Sequence, residues 1–167
     1  YRGNLKTGEL TLIAESEFGF GVGDFSRDHN KLLLGTGYSV GDGVLCLWNK
    51  GKLETLYGKL LEDRAEGEDI PLNGLGSSVF SPSGKGVVVS SSVFDDTYSP
   101  GYIALKKPGV IKPIAVKGLV HKGIGEMEGL AHIHDDLYIL QYNIDGCTWV
   151  YECVFNEEKL EIGRAHV

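Results

Sequence analysis

Proline is scarce in this chain, at 5 of 167 residues, and so are cysteine, at 3, and methionine, at 1. Cys46, Cys147 and Cys153 are too few and too irregularly spaced for a disulfide framework, and an odd number leaves one thiol unpaired. A reducing, cytoplasmic setting is therefore the expectation. No stretch approaches the ~18 consecutive apolar residues of a membrane helix, and no charged segment leads into a short apolar one as in a secretory leader. The chain opens at Tyr1 without a methionine, as expected of a piece of something larger. Basic charge is also short: 16 Lys and Arg against 23 Asp and Glu give a net charge of −7. The basic residues are scattered rather than gathered into a stripe, which argues against nucleic acid or an anionic membrane as partner and favours a neutral or cationic ligand. Alanine-rich helical stretches are missing. Glycine, by contrast, makes up 24 of 167 residues, about twice its usual share of roughly 7%, so many tight turns are implied.

The main positive signal is a repeat. Phe25 opens FSRDHNKLLL, Phe80 opens FSPSGKGVVV 55 residues later, and Leu130 opens a looser copy, LAHIHDDLYIL, after a further 50. An apolar strand begins seven residues after each anchor, at Leu32, Val87 and Leu137. A second apolar run follows a glycine each time: Gly43 to Trp48, Gly101 to Leu105 and Gly146 to Tyr151. Charged, β-branched runs come next, from Lys52, Val110 and Lys159, and suit outer strands whose charge discourages edge pairing. Short segments before each anchor, Gly21 to Phe25, Ser77 to Phe80 and Glu126 to Leu130, complete a unit of four strands. One such sheet exposes two faces and can bury neither alone, so sheets of this kind stack radially around a channel.

Arg2 to Glu15 matches the third and fourth strands of a unit, with Lys6 to Glu9 as the turn. The expectation is an all-β chain, a β-propeller fragment of about three and a half four-stranded antiparallel blades in one domain. Residues 1–17 form the half blade, 18–58, 77–118 and 119–167 form blades, and 59–76 form an insertion. That insertion, KLLEDRAEGEDIPLNGLG, reads as a solvated loop with a short helical turn at Leu60-Leu61. Such a fragment is completed by the rest of a parent chain or by self-association through its open edges.

FSPSGK at Phe80 to Lys85 resembles the FSPDGK hairpin of TolB-type propellers and of the propellers of prolyl-oligopeptidase-type serine peptidases. Gly43 to Asn49 with Gly51-Lys52-Leu53 resembles their third strand and outer hairpin. At Arg27 to Asn30 the sequence has RDHN where those families have Pro-Asp-Gly. The resemblance implies a noncatalytic module that gates or binds substrate beside an α/β-hydrolase domain, no part of which can be located here. Its alternative is a stand-alone TolB-like scaffold binding a peptide or protein through its top loops, Lys59 to Gly76 included.

Several residues are candidates for chemistry. Asp24, Glu126 and Glu128 fall on innermost strands, where carboxylates line a channel and meet a peptide amine or other cation; solvating a wet channel wall is the plainer role. His132, His134 and Asp136 form the most metal-like cluster, since alternate strand residues share a face; a metal-dependent propeller lyase would use them. Turn chemistry accounts for Asp135-Asp136 without a metal. Gly37-Tyr38-Ser39-Val40-Gly41 matches the serine nucleophile elbow, but a strand follows it rather than the required helix, which makes it a hairpin loop. The catalytic set is accordingly empty and no cofactor is implied. Trp48, Tyr102, Trp149 and Tyr151 are expected to fill the wedges between blades.

Overall fold

A computed structural model describes residues 1–164. Strands β1 (Arg2–Gly3) and β2 (Leu10–Thr11) form a hairpin, and three larger sheets follow in chain order. The first sheet holds β3 (Gly21–Phe25), β4 (Lys31–Gly37), β5 (Gly43–Asn49) and β6 (Lys52–Tyr57), each antiparallel to the next. The second holds β7 (Leu75–Phe80), β8 (Gly86–Ser91), β9 (Ser99–Ala104) and β10 (Lys112–Pro113). Strand β11 (Ala115–Lys117) then leads into the third, made of β12 (Gly125–His134), β13 (Leu137–Ile144), β14 (Cys147–Asn156) and β15 (Glu161–Arg164). The chain is thus all β among the described residues apart from a 3-10 turn at Leu61–Asp63, and it has the architecture of a partial β-propeller.

The repeat sets these strands because each sheet buries residues on both faces. Along β4, Leu33 joins a core with Val87, Val89 and Ile103 of the second sheet, while Leu32 and Leu34 join a cluster on the opposite face. Along β8, Val88 turns the other way and packs with Tyr138, Leu140 and Phe155 of the third sheet. Unbroken runs such as Leu32-Leu33-Leu34 and Val87-Val88-Val89 are what a strand covered on both faces needs. Strand β13 differs: Tyr138, Leu140, Tyr142 and Ile144 are buried, and the residues between them are only half-buried.

The run from Val110 departs from the expected single outer strand. It divides: Lys112–Pro113 closes the second sheet, and Ala115–Lys117 crosses to pair in parallel with β15, giving the third sheet a fifth strand. Buried Ile114 is the pivot, and its N–H donates to the Pro100 carbonyl at 3.0 Å. An added charged strand covers an edge that would otherwise be open to pairing.

The insertion is tied down rather than free. Arg64 makes a two-pronged pair with Asp42 at 2.6 and 3.0 Å and also donates twice to the Lys59 carbonyl, while Lys59 holds Glu68. Asn73 accepts the Gly43 N–H on both its side-chain and main-chain oxygens.

Candidate functional site

The first hairpin turns of the three sheets converge on one end of the channel. Two of them are the same turn, built from different residues. The N–H groups of Ser26 and Ser81 each donate to the carbonyl of the residue five positions on, and each hydroxyl accepts that residue's N–H, Lys31 at 2.9 Å and Gly86 at 3.0 Å. Each turn ends on a left-handed residue, His29 at φ 54° and Gly84 at φ 66°. The RDHN segment therefore keeps the geometry of Pro82-Ser83-Gly84-Lys85 and places a histidine where glycine is unstrained. Asp135, at φ 47°, supplies the left-handed position of the two-residue turn between β12 and β13.

Between these turns lies a cleft of about 510 Å³, lined by residues 24–27, 80–84 and 132–135. Arg27 reaches across it to Asp135 at 3.1 Å, joining the first sheet to the third, with the two side chains 86% and 70% exposed. His134 Nδ1 lies 3.4 Å from the other Asp135 oxygen. The Arg27 guanidinium and then His134 hold the Asp135 carboxyl below its ordinary pKa. Phe25 and Ile133 add exposed apolar surface. Ion pairs this exposed add little to stability because water screens them, so their groups exchange readily for those of a ligand.

Asp24 also faces this cleft, but both its oxygens are committed. One accepts the N–H of Phe25 and the other that of Phe80 at 2.9 Å, tying β3 to β7. Glu126 does the equivalent between later elements, accepting the Tyr98 N–H at 3.1 Å. Glu128 is exposed and accepts from the Asn143 amide. The first two thus act as braces between blades.

At His132, His134 and Asp136, the residues expected to be metal-like, the local geometry differs from a regular strand. A bulge between His132 and His134 breaks the alternation that would have put both rings on one face. The His132 ring stacks on Tyr138 at 4.7 Å, and its Nε2 donates to the Asp135 carbonyl at 2.9 Å, so that nitrogen is no longer a ligand. Among the described residues no three His, Cys, Asp or Glu side chains are grouped to hold a metal ion. Ser39 lies in the loop between β4 and β5, as the hairpin reading requires. Of the four large aromatics, Tyr151 is buried between sheets, Tyr102 and Trp48 are half-buried, and Trp149 is exposed. The three cysteines are free thiols, Cys46 and Cys153 buried and Cys147 exposed.

Two residues that carry much of the geometry were passed over in the sequence. Arg27 takes the place of Pro82 in the repeat, and a cation there was the only available hint. Glu157 leaves the turn after β14 and accepts from Ser81 Oγ at 2.7 Å, Ser83 Oγ at 2.8 Å, Tyr102 Oη at 2.7 Å and the Ser83 N–H at 3.1 Å. Burial alone would raise its pKa, but these donors outweigh burial and hold the carboxyl below its ordinary 4.5. Burial and the bond to Glu157 push the Tyr102 phenol up to about 12. Nothing local in Asn156-Glu157-Glu158 marks the middle residue as a clasp.

Sheets stacked face to face, with innermost strands at a shared axis and their turns gathered at one mouth, define a β-propeller segment. In fold it is TolB-like. Crystallised TolB from Acinetobacter baumannii is similar over 96% of this chain and 35% of its own length, with a TM-score of 0.62 and 13% identity. A putative TolB from Agrobacterium tumefaciens is similar over 90% of this chain and 50% of its own, with a TM-score of 0.59 and 10% identity. The chain therefore spans between about a third and a half of these structures' length. No family model matches the sequence, and no curated protein matches it.

Proposed function

We propose that this chain is part of a noncatalytic, TolB-like propeller scaffold that binds an extended polypeptide at the channel mouth. The observation that carries the reading is the exposed Arg27–Asp135–His134 set bridging the first and third sheets over a cleft flanked by Phe25 and Ile133. A peptide offers what such a mouth accepts: a carboxylate for Arg27, an amine or amide for Asp135, and an apolar side chain against Phe25 and Ile133. The same geometry favours a scaffold over a lyase, because the histidines are engaged with Asp135 and Tyr138. A gating role beside a hydrolase domain would use the same mouth, but no observation in this chain favours it over a scaffold.

Site-specific photo-crosslinking in the full parent chain tests the reading. A benzophenone side chain at position 27 or 134 is expected to capture a polypeptide, and one at Lys52 on outer strand β6 is not. Arg27→Glu, which reverses the charge without touching the core, should abolish capture from position 134. Equal capture from all three positions, or none from 27 and 134, refutes it.

A further inference from the structure

Strand β4 starts at the channel mouth and ends at Gly37, β5 returns from Gly43, and β6 runs back to Tyr57. Residues 15–20, 37–42 and 59–73 therefore lie at the end of the first sheet opposite the mouth. They carry apolar side chains in the open: Phe18 is 47% exposed, Tyr38 69%, Val40 84% and Leu72 85%. Phe18 stands edge-on to Tyr38 with ring centroids 5.4 Å apart, and Leu72 packs over Gly41. Single exposed apolar side chains are ordinary, whereas several gathered in one place mark a contact surface. The loops are pinned from beneath. The Asp42–Arg64 pair is at most 15% exposed, the Asn73 N–H donates to the Gly41 carbonyl at 2.8 Å, and the Asn73 side chain holds the Gly43 N–H. A surface already held in place loses little order when a partner covers it.

Charge is concentrated at the same place. These three segments hold eight Asp and Glu against two Lys and Arg, which is six of the chain's seven net negative charges. Both cations are engaged internally, Lys59 with Glu68 and Arg64 with Asp42. Glu17, Glu62 and Glu66 are exposed, and the first two share a crease with Phe18 and Tyr38. The loop between β8 and β9 repeats the combination, with exposed Phe94 beside exposed Asp95 and Asp96.

We propose that this end of the first sheet docks a cationic, amphipathic polypeptide segment. Its Lys or Arg side chains pair with Glu17, Glu62 and Glu66, and its aliphatic or aromatic side chains cover Tyr38, Val40 and Leu72. Solvating a loop accounts for the carboxylates but not for the apolar side chains, and apolar contact alone accounts for neither the charge nor its sign. Nucleic acid and an anionic bilayer are repelled by such a surface, and a second copy of this chain meets it with the same excess of acid. The surface lies at the far end of the channel from Arg27 and Asp135, so it stands apart from the peptide reading of the mouth and survives that reading's failure.

The probe is a short fluorescein-labelled peptide of alternating Lys and Leu, titrated into the chain at low salt and followed by anisotropy. Saturable binding is expected. A peptide of alternating Lys and Ser should bind more weakly by roughly tenfold or more, because it leaves the apolar side chains wet. Val40→Ser and Leu72→Ser should each weaken the Lys–Leu peptide about fivefold. Glu62→Lys with Glu66→Lys should weaken it by roughly tenfold or more, a loss that shrinks as salt rises. Val150→Ser, at an exposed apolar position on the third sheet, should change nothing; every substituted side chain is exposed, so the fold is not at stake. No saturable binding overturns the proposal. Lys–Ser binding as tight as Lys–Leu binding means attraction of opposite charge alone and overturns it, as does Lys–Leu binding that Val40→Ser and Leu72→Ser leave intact. Co-flotation of the chain with phosphatidylserine vesicles, lost in those same two variants, would assign the face to a membrane and overturn it equally.

Discussion

Glu157→Gln is the substitution that most directly tests how the second and third sheets are held together. The carboxylate accepts four hydrogen bonds, three from hydroxyls and one from a main-chain N–H, all from the second sheet or its first turn. Hydrogen bonds to a charged group are worth about 1.5–3 kcal/mol each when fully desolvated. Glu157 is half-buried, and glutamine keeps one acceptor oxygen, so the sum is discounted to a loss of about 2–3 kcal/mol at neutral pH. The sign with pH follows from the depressed pKa. The stabilisation is present above the ordinary 4.5 and is lost as pH falls through the lower value in the folded chain. Tyr102 acts at the other end: its contribution is complete below 10 and lost as pH rises toward about 12. Urea unfolding followed by tyrosine and tryptophan fluorescence, repeated across pH, reads both limbs. Wild type should lose stability on acidification below 4.5 more steeply than Glu157→Gln. A variant within about 0.5 kcal/mol of wild type at neutral pH, with the same acid slope, would refute the clasp.

Asp42→Ala leaves Arg64 without its carboxylate where both side chains are at most 15% exposed; it should cost about 3 kcal/mol and open the 59–73 loop to limited proteolysis, with Arg64→Met in the same chain recovering part of the loss. His29→Gly relieves a left-handed histidine and should stabilise by about 0.5–1 kcal/mol in the same unfolding assay, the relief being partly offset by glycine's greater entropy. Ser39→Ala should leave stability within about 0.5 kcal/mol of wild type, and neither protein should be labelled by a serine-directed fluorophosphonate.

Strand order was legible because each blade repeats its own punctuation. The second strands read directly from Leu32, Val87 and Leu137, and they open β4, β8 and β13 to within a residue, since β4 and β8 carry unbroken apolar runs buried on both faces while β13 buries alternate residues at the same repeat spacing. The crossover at Ile114 was not legible: Val110 to Gly118 is a single charged, β-branched stretch, and which neighbour each half pairs with depends on the next sheet's position. The site shows the same division. Turns bearing Asp24 and His132 to Asp136 could be placed by the repeat spacing, but whether a polar side chain is free or spent depends on the adjacent blade. Asp24 is spent on Phe80 and Glu157 on Ser81, Ser83 and Tyr102, partners more than fifty residues away that no local pattern encodes. The bulge that separates His132 from His134 is likewise set by the fit of β12 to β13, and it undoes the alternation on which the metal reading rested.

The two outer faces of the stack differ in a way that sets how this chain associates with itself. On the far face of the third sheet Val150 and Val154 are exposed, but Glu152 alternates with them on β14, and Gln141 and Asn143 alternate on the neighbouring strand, so water is accommodated there. On the near face of the first sheet the cross-strand rows Val22–Leu34–Cys46 and Phe25–Leu32–Trp48 carry no polar group except the Cys46 thiol and the Trp48 indole N–H, and Val22 and Phe25 stand exposed there beside exposed Leu12, which follows β2. Covering each of those three exposed side chains recovers about 1 kcal/mol, a gain the polar far face does not offer. Self-association at high concentration should therefore proceed through the near face. In sedimentation velocity, Val22→Asp is expected to shift the chain toward monomer and Val150→Asp to leave its distribution unchanged. The reverse pattern would mean that strand edges on the third sheet, rather than the uncovered face of the first, are the adhesive surface.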